Sequence, residues 1–302
     1  TIELAKTMQN EYKVPVALVN CLELDGNDIK RIREMCLCEF HVCEIRVKMP
    51  SWISALDNEH LLKARIFEGI SEKAKQMPAS AIRKLVPLAD AAKKQGVKVY
   101  HLNVGQPDIK SPDCALDAIR NFNQENVSYS HSAGLMDLRK CLVEKYYRKI
   151  GIDITVDELI TTVAGSESVN LALEITCNPG DEVIVLEPFY TNYNTFAFMN
   201  GLTLKAIPTD IRNGFQIPPI EEFEKAITDK TKAILVCNPG NPTGTQYSKE
   251  SMLALGEIAR KHDLFLLSDE VYREFCYTDE PHFSAMQIPG LEQNVILIDS
   301  VS

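Results

Sequence analysis

The spacing of hydrophobic and polar positions changes rhythm near residue 70. Before that point, residues 14–20 (VPVALVN) make a short apolar run, expected as a buried strand. Residues 28–38 read as a helix, and residues 40–49 alternate apolar and polar side chains as a half-buried strand does. Beyond residue 70, apolar runs and helical periods follow one another at the spacing of βαβ units, which predicts a mostly parallel α/β sheet. Strands are expected at 158–163, 182–186, 232–236, 264–267 and 295–298; several are apolar throughout, as strands buried on both faces are. Helices are expected at 166–176, 220–227 and 248–262. The predicted architecture is therefore a small α+β segment, residues 1–69, followed by an α/β domain, residues 70–302.

Composition narrows the function classes. A chain of 302 residues with 45% hydrophobic and 25% charged residues has the length and usage of a folded protein of two or three domains. Its 32 Lys and Arg stand against 42 Asp and Glu, a net charge of −10, which gives nucleic acid or an anionic membrane no electrostatic hold. No apolar run approaches the roughly 20 residues of a membrane span, and the first residues lack the order of a signal peptide. Nine cysteines without framework spacing read as reduced thiols, and the expected setting is cytoplasmic. Cys36, Cys38, His41 and Cys43 invite a zinc reading, but they lack a C-x2-C knuckle and a distant second pair, so no metal is expected. The chain opens at Thr1 and stops at Ser302 just after a strand-like run, the look of a fragment.

In a doubly wound sheet, ligands collect beyond the carboxyl ends of the strands. After 158–163 come Ala164-Gly165-Ser166, small residues opening a helix whose free N–H groups and dipole suit an anion; a plain turn capped by Ser166 is the alternative. After 182–186, Tyr190 can set a flat ring at the sheet mouth, or simply close the core edge. After 232–236, Cys237-Asn238-Pro239-Gly240-Asn241-Pro242-Thr243-Gly244 can aim an amide into the cleft. After 264–267, Ser268-Asp269-Glu270-Val271-Tyr272 places an acid and a phenol together. That acid reads either as a Walker B carboxylate or as the partner of a protonated heterocyclic nitrogen. No GxxxxGK[ST] accompanies it, which favours the second.

Taken in order, these segments resemble the fold type I, class I/II aminotransferases, which use pyridoxal 5′-phosphate. The resemblance runs over residues 70–302 and also takes in Asn103-Val104-Gly105-Gln106-Pro107-Asp108, Tyr129 with Ser132-Ala133-Gly134, and Ser300-Val301-Ser302. It implies an incomplete large domain of the pyridoxal-phosphate transferase fold. Asp269 would pair with the ring nitrogen, and Asn241 and Tyr272 would bond the phenolic oxygen. Tyr190 would stack on the ring, and Ala164, Gly165, Ser166 and Ser300 would hold the phosphate. Gly105 and Asn241 would face the substrate, and Tyr129 would reach the phosphate of a neighbouring subunit, implying a homodimer. The implied reaction passes an amino group from an amino acid to a 2-oxo acid.

The family motif continues Ser-x-Ser-Lys, which puts the Schiff-base lysine at position 303, one past Ser302, so this stretch alone is expected to lack turnover. Tyr12-Lys13-Val14-Pro15-Val16 through Cys21, Glu39-Phe40-His41 and Met49-Pro50-Ser51-Trp52-Ile53 to Ala55-Leu56 resemble instead the middle of stage IV sporulation protein A, a coat-assembly ATPase. Its phosphate loop is not in residues 1–69, and a fusion of neighbouring reading frames is the expected origin. Two other functions stand beside amino transfer: a spore-coat assembly ATPase module, and lyase or synthase chemistry in the same cofactor cradle.

Overall fold

The computed structural model describes residues 71–77, 85–102, 105, 109–123, 125–126 and 128–300. The chain divides into two compact units, Thr1–Gln76 and Met77–Ser302. In the first, the described part is a five-residue helix, Glu72–Gln76. The strands expected at 14–20 and 40–49, the helix at 28–38 and the Cys36, Cys38, His41, Cys43 quartet lie outside the described residues.

The second unit is built on a parallel sheet. In chain order its described elements begin with α1 (Val86–Lys94), α2 (Asp113–Arg120), α3 (Met136–Cys141) and α4 (Gly165–Thr176). Next come β1 (Glu182–Glu187), α5 (Asn192–Asn200), β2 (Thr203–Pro208), α6 (Ile220–Ala226) and β3 (Thr231–Cys237). The series ends with α7 (Lys249–His262), β4 (Phe265–Asp269) and β5 (Val295–Ile298). The strands lie in the order β2-β1-β3-β4-β5, every neighbouring pair parallel.

Strand alternation sends successive side chains to opposite faces, and both faces are covered. Ile184, Ile234 and Leu266 pack with Phe223, Met252 and Leu255 of α6 and α7. Val183, Val185, Leu235 and Leu267 pack on the other face with Val169 and Leu173 of α4 and Tyr193 and Ala197 of α5. Each such side chain, once buried, contributes about 1.5–3 kcal/mol. Helix α7 starts where Ser248 Oγ accepts from Ser251 N at 3.2 Å, and it stops at Asp263 in the left-handed region at φ 52°.

The structure departs from the sequence reading at two strands. Residues 158–163 form no strand: Val156–Glu158 is a 3-10 turn, and the extended stretch after it bonds a loop, Thr161 N to Ala133 O at 3.1 Å. Leu159 packs against a small buried cluster, but Ile160 is 65% and Val163 92% exposed. The loop approaches so closely that a Cβ on Gly134, where φ is +93°, would meet Thr161 Oγ1 at 1.6 Å. Conversely, β2 forms where no strand was expected, on the sheet edge, with Ile207 its one fully buried side chain.

Candidate active site

Register places the chemistry. Cys237, the last residue of β3, sits opposite Asp269, the last of β4, and Asp269 sits opposite Ile298 near the end of β5. Asn238 N donates to Asp269 O at 2.9 Å, and Glu270 N to Ile298 O at 2.8 Å, so the ladder continues into the turns that carry the polar residues. The carboxyl ends of these strands, with the start of α4, enclose a cleft of about 220 Å³. Ala164, Gly165, Ser166, Tyr190, Asn241, Asp269, Tyr272 and Ser300, all singled out from the sequence, line it together. Val169, Cys237 and Val271 complete the wall.

Each of these groups has a defined state. Asp269 is 5% exposed; its Oδ2 accepts from Tyr193 OH at 2.6 Å, and Oδ1 has a longer bond of 3.4 Å from Val271 N. Burial holds its carboxyl above the usual range, while the Tyr193 and Val271 donors pull it back. Asn241 Nδ2 donates to Tyr272 OH at 3.1 Å, which leaves the phenol's own proton to point elsewhere. Burial raises the Tyr272 phenol, so it stays a donor at neutral pH. Tyr190 OH accepts from Asn192 Nδ2 at 2.6 Å, fixing its ring at the mouth. Cys237 donates its thiol to Pro239 O at 3.3 Å, and burial pushes that thiol up to about 12, so it stays neutral.

The start of α4 forms the fourth side. No side chain caps it, so its first N–H groups are offered to the cleft. Glycine keeps this corner open, since a Cβ on Gly165 would press on Val271 Cγ1 at 3.2 Å. An uncapped helix start, a buried acid with a lightly bonded oxygen, a phenol with a spare proton and a ring at the mouth fit a planar, phosphorylated heteroaromatic cofactor. Among the described residues, no group of His, Cys, Asp and Glu is arranged to hold a metal ion.

Two expected residues stand apart. Among the described residues, Tyr129 is fully exposed, and Gly105 is exposed with nothing within 4 Å of where its Cβ would be; neither lines the cleft. Tyr193 escaped the sequence reading, and Cys237 entered it only as the first residue of the loop after 232–236. Tyr193 carried a signal, since it follows Tyr190 by three residues, one helical turn.

Directly behind the cleft lies a second cluster. Glu270, fully buried, accepts at Oε1 from Ser268 Oγ at 2.8 Å, Ala285 N at 2.9 Å and Ser284 Oγ at 3.1 Å. Arg273 Nη2 and His282 Nε2 each lie 2.9 Å from its Oε2. Arg273 also approaches Asp299 Oδ2 at 3.5 Å, and its guanidinium lies over the rings of Tyr147 and Tyr146.

Comparison with known proteins shows the family. Residues 97–302 match the family described as aminotransferase class I and II. The aspartate/prephenate aminotransferase of Thermus thermophilus is 36% identical over 217 residues, which are 72% of this chain and 56% of that protein. The putative aminotransferase YugH of Bacillus subtilis is 36% identical over 235 residues, 77% of this chain and 59% of that one. Among solved structures, Thermus thermophilus aspartate aminotransferase with maleate superposes with a TM-score of 0.71 at 33% identity, covering 78% of this chain and 60% of that one. An alanine aminotransferase from Pyrococcus furiosus gives 0.68 at 33% identity, covering 76% and 59%. The chain thus spans less than two thirds of the length of these relatives.

Proposed function

Because the chain belongs to the class I and II aminotransferase family, we propose that it serves amino transfer from an amino acid to a 2-oxo acid, with pyridoxal 5′-phosphate held in the cleft. The observation that carries this reading is the convergence of Asp269, Asn241, Tyr272, Tyr190 and the uncapped start of α4 on one cavity. When bound, pyridoxal 5′-phosphate supplies an aldehyde carbon and a ring that takes up the electrons left on the substrate Cα. Asp269 holds a proton on the ring nitrogen, its ionised form favoured once a positive charge stands opposite. Tyr272 and Asn241 direct N–H and O–H donors to the ring's phenolic oxygen. Tyr190 covers one face of the ring and keeps water from it.

The N–H groups of Gly165 and Ser166, with the hydroxyls of Ser166 and Ser300, hold the phosphate. Gly105 lies by the substrate, and exposed Tyr129 reaches the phosphate of a second copy, so the working unit is a homodimer in the cytoplasm. The reading requires an amine at the cofactor's reactive carbon. Aspartate is the donor to try first, since the Thermus relative bears that substrate in its name. Among the described residues, no helix is long and apolar enough to cross a membrane.

The test is a titration of the purified chain with pyridoxal 5′-phosphate, followed by tyrosine fluorescence, beside Asp269→Ala. Saturable binding at one cofactor per chain, weakened about tenfold or more by the substitution, is expected. Binding that ignores residue 269 would overturn the reading. ATP binding by the chain would favour the coat-assembly alternative instead.

A further inference from the structure

Tyr193 is 1% exposed, yet it reaches two walls of the cleft. Its hydroxyl donates to Asp269 Oδ2 at 2.6 Å. Its ring meets that of Tyr190 edge-on, centroids 5.5 Å apart at 90°, and lies nearly parallel to Phe189 at 6.2 Å. Helix α5 makes this possible: Tyr193 lies in its first turn, where the chain turns back onto the sheet after β1. A buried carboxylate with one oxygen bonded this way cannot rotate freely, so Oδ1 is the oxygen left to meet a ligand. We infer that Tyr193 is a positioning residue, acting through Asp269: its hydroxyl locks one carboxylate oxygen so that the other faces the nitrogen of a bound heterocycle.

The inference rests on the cofactor reading above and adds to it a residue that does not line the cleft. Groups around the pair agree with the role. Burial, with the nearby Cys237 thiol and Asp269, keeps the Tyr193 phenol protonated, and so always a donor. Glu270 and Asp299 add negative charge near Asp269 and favour its protonated form, whereas the Tyr193 and Val271 donors favour the ionised one. Removing the hydroxyl therefore both frees the carboxylate to turn and shifts it toward the neutral form, and each weakens its hold on a protonated nitrogen.

The experiment compares two ligands that need no covalent link: pyridoxamine 5′-phosphate, and its 1-deaza analogue, in which a C–H replaces the ring nitrogen. Dissociation constants are measured for the unaltered protein, Tyr193→Phe, Asp269→Ala and the double variant. Tyr193→Phe is expected to weaken pyridoxamine 5′-phosphate about tenfold, as loss of a bond to a charged group does, and to change the analogue less than twofold. On Asp269→Ala it should have no further effect. The ratio of the two constants on one preparation is unaffected by any unfolded fraction, so partial misfolding does not hide the answer. Equal losses for both ligands, or no loss for either, would overturn the role of Tyr193 while leaving the cofactor reading in place. An unaltered protein that binds neither ligand, or does not distinguish them, would sink the cofactor reading and this inference with it.

Discussion

Asp269 and Glu270 are consecutive acids at the end of one strand, and the fold treats them in opposite ways. Glu270 turns away from the cleft and receives five partners, from Ser268, Ser284, Ala285, Arg273 and His282. Asp269 turns toward the cleft with one short bond and one long one. A saturated acid is structural, because every lone pair is committed; a lightly bonded one, held in place but not used up, is ready for a ligand. Burial alone does not separate them, since both are nearly inaccessible. The difference lies in where β4 ends: strand alternation puts neighbours on opposite sides, and the sides here are the cleft and the packed layer under it.

The sharpest way to break the contrast is to remove Glu270. Glu270→Ala strands Arg273 and His282 in the interior and leaves Ser284 and the Ala285 N–H without their acceptor. The expected loss is about 3–5 kcal/mol in urea unfolding. A loss under about 1 kcal/mol would show that the cluster is dispensable and that the two acids differ less than their geometry implies. A smaller cut sharpens the same point. Ser284→Ala deletes one of the five bonds and the cap of the turn Ala285–Gln287, where Ser284 Oγ accepts from Met286 N at 3.2 Å. About 1–2 kcal/mol should go, and pyridoxamine 5′-phosphate affinity should stay within about twofold. A tenfold loss of affinity would mean that cluster and cleft are one unit.

This contrast was half legible in the sequence. The segment Ser268 to Tyr272 stands out as chemistry, and the motif order locates the cleft acid, because apolar runs such as those of β3 and β4 are buried on both faces and end sharply in polar turns. The partners of Glu270 do not stand out, since His282 and Ser284 lie in a loop with no period to read. Helix α5 was missed for a related reason: NYNTFAFMN is rich in asparagine and aromatics, weak helix formers, and it is held by the packing of Tyr193 and Ala197 on the sheet. That omission hid Tyr193. The edge strand β2 was hidden by Lys205 and a largely uncovered face. Residues 158–163 misled in the other direction: β-branched Ile160, Thr161, Thr162 and Val163 carry strand propensity, but among the described residues the stretch bonds a loop instead of joining the ladder.

The smallest predicted effect concerns pH and isolates Asp269 itself. Its folded carboxyl is raised, chiefly by burial, so the folded state holds that proton more tightly than the unfolded chain does. The contribution to stability is then fully present below the ordinary aspartate value of about 3.9 and is lost as pH rises through the folded value. Asp269→Asn removes this titration while its amide oxygen still accepts from Tyr193. The variant should therefore gain on the unaltered protein as pH climbs above about 4, seen as a widening gap in urea midpoints, and level off once pH has passed the raised folded value. Asp299, also raised by burial, titrates in both proteins, and its negative charge adds to what holds the Asp269 proton in the unaltered one. A gap that closes with rising pH would mean that the Tyr193 and Val271 donors outweigh burial, so that Asp269 enters the cleft already stabilised as an anion and needs no cationic ligand to keep it ionised.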